Sequence, residues 1–324
     1  SSNNSYYKMF TLLTSFTKTW EVELFFIIGL IFSFFLIIGY KTKLSHIICA
    51  IVIISIHNRA IMLENACDMF MNSVLIWTMF LPLGIAYSVD SLKNSLNYFR
   101  ENSVSELNNR EYGISKPQKV FSIAYFAMLY QISAIYFFTA LNKTGYDWVN
   151  GSAVYKMLQL DTFLTPVGYF VRDYITPNIY KFLTYSTLNL EFSVIILIFL
   201  PFYNHLSRFF LIICLTMFHV TIRLFVKVGL FSQTMIVTYI LLIDTKIYDA
   251  INRFIAKYFL NDKKYILFYD SDCGFCHYTV RIIKRLDLYS KITFADANYK
   301  GEKPNNFEQL SSQTAILFDE DSNK

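Results

Sequence analysis

Residues 22–39 read VELFFIIGLIFSFFLIIG, an apolar stretch with a single acidic side chain near its start. Its length approaches the roughly 20 residues that an α-helix needs to cross a bilayer. Similar apolar blocks follow along the chain at 44–56, 66–87, 119–141, 183–203, 207–222 and 229–243. The pattern predicts an all-α polytopic membrane bundle of about six or seven spans over residues 1–245.

The composition agrees with a protein embedded in a lipid bilayer. Of 324 residues, 54% are hydrophobic, 18% aromatic and only 16% charged, and the mean hydropathy is +0.37. These values are too apolar for an ordinary soluble domain. The net charge of +5 forms no basic stripe interleaved with aromatic residues, which argues against nucleic acid as a partner.

The basic residues of the loops predict the orientation of the bundle. Alternating spans place the turn at Lys41 and Lys43, the loop 88–118 and the segment after residue 245 on one side of the membrane. The positive-inside rule makes that side cytoplasmic. The loop 142–178 then faces outward, and a basic juxtamembrane linker at 246–261 leads into a cytoplasmic C-terminal domain.

The C-terminal domain carries a pair of cysteines spaced for redox chemistry. The apolar run 265–268 is followed by YDSDCGFCH at residues 269–277. A C-x-x-C that opens a helix places its first sulfur where the helix N-terminus stabilises a thiolate. Cys273 is therefore the expected nucleophile, and Cys276 is expected to resolve the mixed disulfide. A zinc knuckle is the alternative, but no second C-x-x-C or H-x-H pair lies within reach.

Charged neighbours are expected to tune this thiol pair in opposite directions. Asp270 and Asp272 disfavour a thiolate, whereas His277 and Arg281 on the same helix restore positive potential. The other thiols, Cys49, Cys67 and Cys214, lie singly in apolar runs and are expected to be buried and inert.

Residues 262–324 have the order of a partial α/β domain. The pattern predicts a strand at 265–269, a helix at 274–288, strands at 291–295 and 313–318, and a polar stretch at 296–312. A β-α-β unit that starts with a C-x-x-C helix is typical of a thioredoxin-like fold. The last strand lacks a following helix, so we expect the domain to be truncated.

Ionisable and polar side chains within or near the spans form a second set of candidates. They are His57, Asn58, Arg59, Glu64, Asp68, Lys143, Glu191, His219 and Arg223. Such residues are costly in a membrane and face the bundle interior or a wet cavity. The set indicates either a functional cavity or a structural polar network. Lys143, at an apolar boundary, either acts as a base near neutral pH or snorkels to the interface.

Residues 136–151, YFFTALNKTGYDWVNG, resemble the lysine-to-Trp-Gly signature of the HTTM domain, which is shared with vitamin K-dependent γ-glutamyl carboxylase. SIHNR at 55–59, Leu190-Glu191 and MFHV at 217–220 are similar to the family in the same order. The resemblance spans about 45–245. It implies that the family's first helix is missing before Trp20.

The HTTM resemblance also implies roles for individual residues. Lys143 matches the base that activates reduced vitamin K, and His219 matches an active-site histidine. His57, Asn58, Arg59, Trp148 and Glu191 are the expected cavity residues, with a quinone-type ligand. Residues 64–66 read Glu-Asn-Ala where carboxylating members carry Asn-Asn-His.

Residues 264–324 resemble the DCC family of thioredoxin-like thiol–disulfide oxidoreductases, with Ser271 in place of the family's usual glycine. Joined HTTM and DCC domains imply a bacterial protein of the inner (plasma) membrane. The thiol chemistry requires no cofactor, and its expected partner is a thioredoxin-type reductant or a dithiol protein.

Together these observations predict a membrane-anchored thiol–disulfide oxidoreductase of the protein-disulfide reductase type. The alternative is a carboxylase-like or peptide-maturation protein, whose partner is a secreted peptide toxin and whose site is the bundle cavity. A transporter is disfavoured, because the sequence has no internal repeat and no Gly/Pro-broken helix pair.

Overall fold

The computed structural model describes residues 10–59, 65–85, 87–98, 122–259, 264–270, 273–287, 289, 291–296, 299–301, 303–304, 307 and 315–319. Its helices are α1 (Thr19–Ile38), α2 (Thr42–Arg59), α3 (Ala66–Thr78), α4 (Val89–Tyr98), α5 (Ile123–Leu141), α6 (Tyr146–Val149), α7 (Ala153–Met157), α8 (Pro166–Arg172), α9 (Pro177–Phe199), α10 (Asn204–Phe225), α11 (Phe231–Thr238), α12 (Thr245–Phe259) and α13 (Gly274–Leu286). Short 3-10 turns cover Leu12–Thr14, Asp161–Phe163 and Tyr239–Leu242.

Four helices of the described residues, α1, α5, α9 and α10, are long and apolar enough to cross a membrane. Each coincides with a predicted apolar block to within about six residues. Their outer faces carry large exposed apolar side chains, of which Ile37 is 81% exposed. Exposed apolar surface of that kind marks a membrane or protein contact. The mostly helical architecture predicted from the sequence is confirmed, and the four apolar helices indicate a membrane protein.

The predicted block 66–87 differs from a single span. Its helix, α3, ends at Thr78 after 13 residues, which corresponds to a rise of about 20 Å and falls short of the bilayer core. The chain then turns through Pro82 and through Gly84, whose φ is +81°. Proline and a left-handed glycine both interrupt helical hydrogen bonding, so hydropathy alone overestimated the length of this helix.

The described residues fall into two compact units. The first takes its residues from 1–14, 53–81 and 121–252, and the second from 15–52, 82–120 and 253–324. The predicted boundaries at 245 and 261 remain predictions. The segment expected to be a basic linker forms most of α12, because its apolar residues recur at helical spacing.

The first unit is a helical bundle with a main apolar core and a smaller buried cluster formed by Leu158, Leu164 and Tyr180. The buried side chains of the main core come from α3, α5, α9, α10 and α11 with the following 3-10 turn, and they are Phe70, Leu129, Ile132, Tyr136, Val194, Ile198, Leu211, Leu215, Met235, Tyr239 and Leu242. Arg208 stabilises the end of α9, because its guanidinium donates two hydrogen bonds of 3.2 Å to the carbonyl of Ile198. Orphan carbonyls at a helix end need such donors in an apolar setting.

The second unit contains α1, α4 and the C-terminal sheet. Asp90 at the start of α4 caps α2, since its carboxylate accepts the backbone N–H groups of Lys41 and Thr42 at 2.9 and 2.7 Å. The described strands, β1 (Tyr265–Phe268), β2 (Ile292–Ala295) and β3 (Ile316–Asp319), form a sheet of order β2-β1-β3. β1 pairs with β2 in parallel and with β3 in antiparallel. The predicted strand–helix–strand order is confirmed.

Candidate functional sites

The cysteine pair lies at the turn between β1 and α13. Cys273 is the N-cap residue of α13, and the backbone N–H of Cys276 donates to its sulfur at 3.4 Å. The sulfur thereby takes the capping role that an oxygen plays in most helices. The Cys273 N–H also points at the carbonyl of Asp270, 3.4 Å away, which closes the turn. Both side chains are half-buried free thiols.

The two thiols are electrostatically unequal. The Cys276 backbone N–H is the main cause that lowers the pKa of Cys273, and the Cys276 thiol and the Phe275 N–H add to it. The pKa of Cys276 is raised, chiefly by its hydrogen bond to the Cys273 sulfur, then by burial and by the negative charge of Cys273. Asp270 opposes the thiolate of Cys273 but does not reverse the shift. Thus the thiolate form is favoured at the first cysteine, and the role of Cys273 as nucleophile stays a prediction.

The role expected for His277 is wrong. Burial, followed by the nearby Arg281 guanidinium, lowers the pKa of His277 below its ordinary value. The imidazole is therefore neutral near pH 7 and adds no positive potential at the thiols. Its ring lies edge-on to Tyr269, with the ring centroids 5.6 Å apart. Asp272 lies outside the described residues.

The bundle brings together three of the residues singled out from the sequence. Lys143, just past the end of α5, donates a hydrogen bond within an ion pair to Oε1 of Glu191 on α9. The side chains of the two are 17% and 4% exposed. The Lys143 Nζ also lies 4.6 Å from the centroid of the Trp148 ring, a cation–π contact. Such a buried pair depends on both partners, because a single buried charge is strongly unfavourable.

A chain of buried polar rings lies in the same unit. Tyr136 on α5 is hydrogen-bonded through its hydroxyl to Nε2 of His219 on α10 at 2.8 Å, and also to the hydroxyl of Tyr239. His219 is 1% exposed. Neither tyrosine stood out in the sequence, although Tyr136 precedes Lys143 by only seven residues.

Two buried atoms of this cluster have no hydrogen-bond partner among the described residues, Oε2 of Glu191 and Nδ1 of His219. Buried polar atoms in proteins are normally satisfied, so each such exception needs an explanation. A bound water or the polar end of a ligand would supply the missing partner.

An apolar cavity of about 270 Å³ opens beside Lys143. Its walls belong to the first unit, and they include Trp148, Met157, Leu158, Phe218 and Phe225. Thr187 and Thr221 add hydroxyl groups to the lining. A cavity with apolar walls and a few convergent polar groups is the usual form of a small-molecule site.

The second-span residues lie elsewhere in the same unit. Nδ1 of His57 is 2.8 Å from Oδ1 of Asn72, and its Nε2 is 3.6 Å from Asp68. The Asn58 side chain donates to the carbonyl of Phe10 at 2.8 Å, and Arg59 is exposed at the end of α2. None of the three lines the 270 Å³ cavity. Their grouping with Lys143 remains a prediction, and Glu64 lies outside the described residues.

The remaining thiols differ in burial, because Cys214 on α10 is only partly buried and the expectation that it is buried is wrong. Cys49 and Cys67 are buried, and Cys67 donates to the Thr234 hydroxyl at 3.2 Å. Among the described residues, no cluster of His, Cys, Asp and Glu is arranged to hold a metal ion.

No family model, curated protein or solved structure matches the chain. The relation to HTTM and DCC proteins therefore rests on the motifs alone and enters the next section as a proposal.

Proposed function

We propose that this protein is a membrane-anchored thiol–disulfide oxidoreductase of the protein-disulfide reductase type, with Cys273 as nucleophile and Cys276 as resolving thiol. The observation that carries the proposal is the helix cap: the Cys273 sulfur accepts the N–H of Cys276 at the start of α13. This contact stabilises one thiolate and leaves the other thiol protonated.

The exchange proceeds in two displacements. The Cys273 thiolate attacks a sulfur of the substrate disulfide, forms a mixed disulfide and releases the first substrate thiolate. Cys276 then loses its proton to solvent and attacks the Cys273 sulfur, which releases the second substrate thiolate. Two electrons pass from the cysteine pair to the substrate. A thioredoxin-type reductant or a dithiol protein must return them by the reverse exchange.

The surrounding fold supports the same proposal. The parallel β1–α13–β2 unit with an antiparallel β3 agrees with a partial thioredoxin-like domain of the DCC type at 262–324. The four apolar helices support a membrane anchor, which we propose to be an HTTM bundle of about six or seven spans. Under the positive-inside rule, the cysteines then face the cytoplasm of a bacterial cell.

The proposal is tested with 5,5′-dithiobis(2-nitrobenzoate), a small disulfide whose released thiolate is coloured. The full chain in nanodiscs is expected to release two equivalents that depend on the cysteine pair. Cys276→Ser should release one equivalent and retain the mixed disulfide. Cys273→Ser keeps the Cys276 thiol, so it should release at most one equivalent, and more slowly, above the background of Cys49, Cys67 and Cys214. Equal release by wild type and Cys273→Ser would refute the function.

A second function is favoured by the cavity beside Lys143. The apolar walls suit a quinone ring, and Lys143, Thr187 and Thr221 supply donors for its oxygens. When bound, a quinone would supply two-electron redox chemistry. Because Lys143 is paired with Glu191, it can accept a proton only after its own proton has passed to that carboxylate. The pair would thus hold the proton of an acid–base step, in a carboxylase-like reaction or in peptide maturation.

Titration with a soluble naphthoquinone tests this second function. We expect saturable quenching of tryptophan emission in nanodiscs, and we expect Trp148→Phe to remove most of it. Trp20→Phe is the matched control, because Trp20 lies in the second unit and does not line the cavity. Quenching that is linear in quinone concentration, or unchanged in Trp148→Phe, would contradict a quinone site here.

A further inference from the structure

Helix α12 has two distinct faces. Four large apolar side chains, Tyr248, Ile251, Phe254 and Tyr258, recur at spacings of three or four residues and therefore share one side of the helix. We call them the apolar stripe. Each is between 44% and 63% exposed. The rings of Phe254 and Tyr258 are in tilted contact, with their centroids 4.7 Å apart.

The basic residues of α12 lie together on another side. At about 100° per residue, Lys246, Arg253 and Lys257 fall within about 40° of one another, on a side of the helix that begins about 60° from Phe254 at the edge of the apolar stripe. All three are exposed. Nζ of Lys257 lies 5.3 Å from the centroid of the Tyr258 ring, which places this charge directly beside the stripe.

We propose that α12 lies in the interface of the bilayer, with the apolar stripe in the acyl boundary and its basic residues on anionic lipid headgroups. Amphipathic helices with a basic flank bind such surfaces through apolar burial and charge together. The helix is 15 residues long, too short to span. It starts three residues after Leu242, where the last apolar segment of the bundle ends.

Two alternatives fit the charges less well. A second copy of α12 would bring three basic residues against three more, with Asp249 as the single acidic residue of this helix in each copy. A polar, solvated surface would leave two aromatic rings, Phe254 and Tyr258, more than half exposed. Charge complementarity therefore favours anionic lipid, and the proposal does not depend on the thiol chemistry.

The test places a tryptophan on each face of α12 in the full chain. Phe254→Trp and Asp249→Trp proteins are reconstituted in nanodiscs that contain brominated phosphatidylglycerol or brominated phosphatidylcholine. The emission of the parent chain, from Trp20, Trp77 and Trp148, is subtracted. We expect quenching at position 254 to exceed that at position 249 by about twofold or more in the anionic discs.

Replacing Lys246, Arg253 and Lys257 by glutamine in the Phe254→Trp chain tests the headgroup contact. Each lost charge should lower the ratio of bound to unbound helix about fivefold. The proposal is overturned if quenching is equal at positions 254 and 249, or equal in the two lipids. It is also overturned if two copies of α12 can be cross-linked to each other and position 254 is not quenched. Circular dichroism verifies that every variant retains its helix content.

Discussion

Replacing Lys143 by methionine is expected to lower the free energy of unfolding by about 3–5 kcal/mol, because the carboxylate of Glu191 then stays buried without its partner. The whole Glu191 residue, backbone included, is 3% exposed. Its Oε2 already has no hydrogen-bond partner among the described residues. Removal of the ammonium leaves both oxygens unsatisfied. Unfolding in detergent, followed by circular dichroism in rising denaturant, measures the loss.

A double variant distinguishes the ion pair from simple packing. Lys143→Met with Glu191→Leu removes both charges and fills the same volume with apolar atoms, so we expect it to recover most of the lost stability. Lys156→Met is the matched control, since Lys156 is exposed on α7 and its replacement should change stability by less than about 0.5 kcal/mol. A Lys143→Met protein as stable as the control would show that the pair does not stabilise the bundle.

Alkylation of the cysteine pair is expected to be strongly selective near neutral pH. The thiolate is the reactive form, and the pKa of Cys273 is lowered by the Cys276 N–H whereas that of Cys276 is raised by its hydrogen bond to Cys273. A lowered pKa keeps the thiolate populated at lower pH. Iodoacetamide should therefore modify Cys273 about tenfold or more faster than Cys276 at pH 7.

The pH dependence of the two alkylation rates shows in which direction the pKa of each thiol is shifted. The rate at Cys273 should level off below the pH at which an ordinary thiol does, while the rate at Cys276 still rises there. Asp270→Asn should move the Cys273 inflection further down, because the Asp270 carboxylate opposes the thiolate. Peptide mass spectrometry after timed alkylation measures both rates. Equal rates, or an upward shift in Asp270→Asn, would contradict this electrostatic account.

Local sequence signals predicted the C-terminal elements well. The strand at 265–269, the helix at 274–288 and the strand at 291–295 each agree with the structure to within about two residues. The helix start could be read directly, since a C-x-x-C after a strand and a turn marks a cap. The length predicted for α3 was wrong, because hydropathy does not detect the turn at Pro82 and Gly84.

The bundle site could be predicted only in part. Lys143, Glu191 and His219 stood out because charged or titratable groups in apolar segments are expensive. Tyr136 and Tyr239 did not, because tyrosine is common in such segments and an isolated hydroxyl gives no pattern. Their hydrogen bond joins residues 103 positions apart, a separation at which no sequence period operates.

By itself, the amino-acid sequence determined the apolar, membrane-type composition of this protein and its helical blocks. It also determined that the cysteine pair stands at the start of a helix. These properties depend on composition, periodicity and caps, which act over a few residues. Tertiary structure alone decided that Lys143 meets Glu191, 48 positions away, and that His219 meets Tyr136, 83 positions away. The packing of α5 and α10 against α9 selects those partners, because each buried polar group must find its complement where the helices meet.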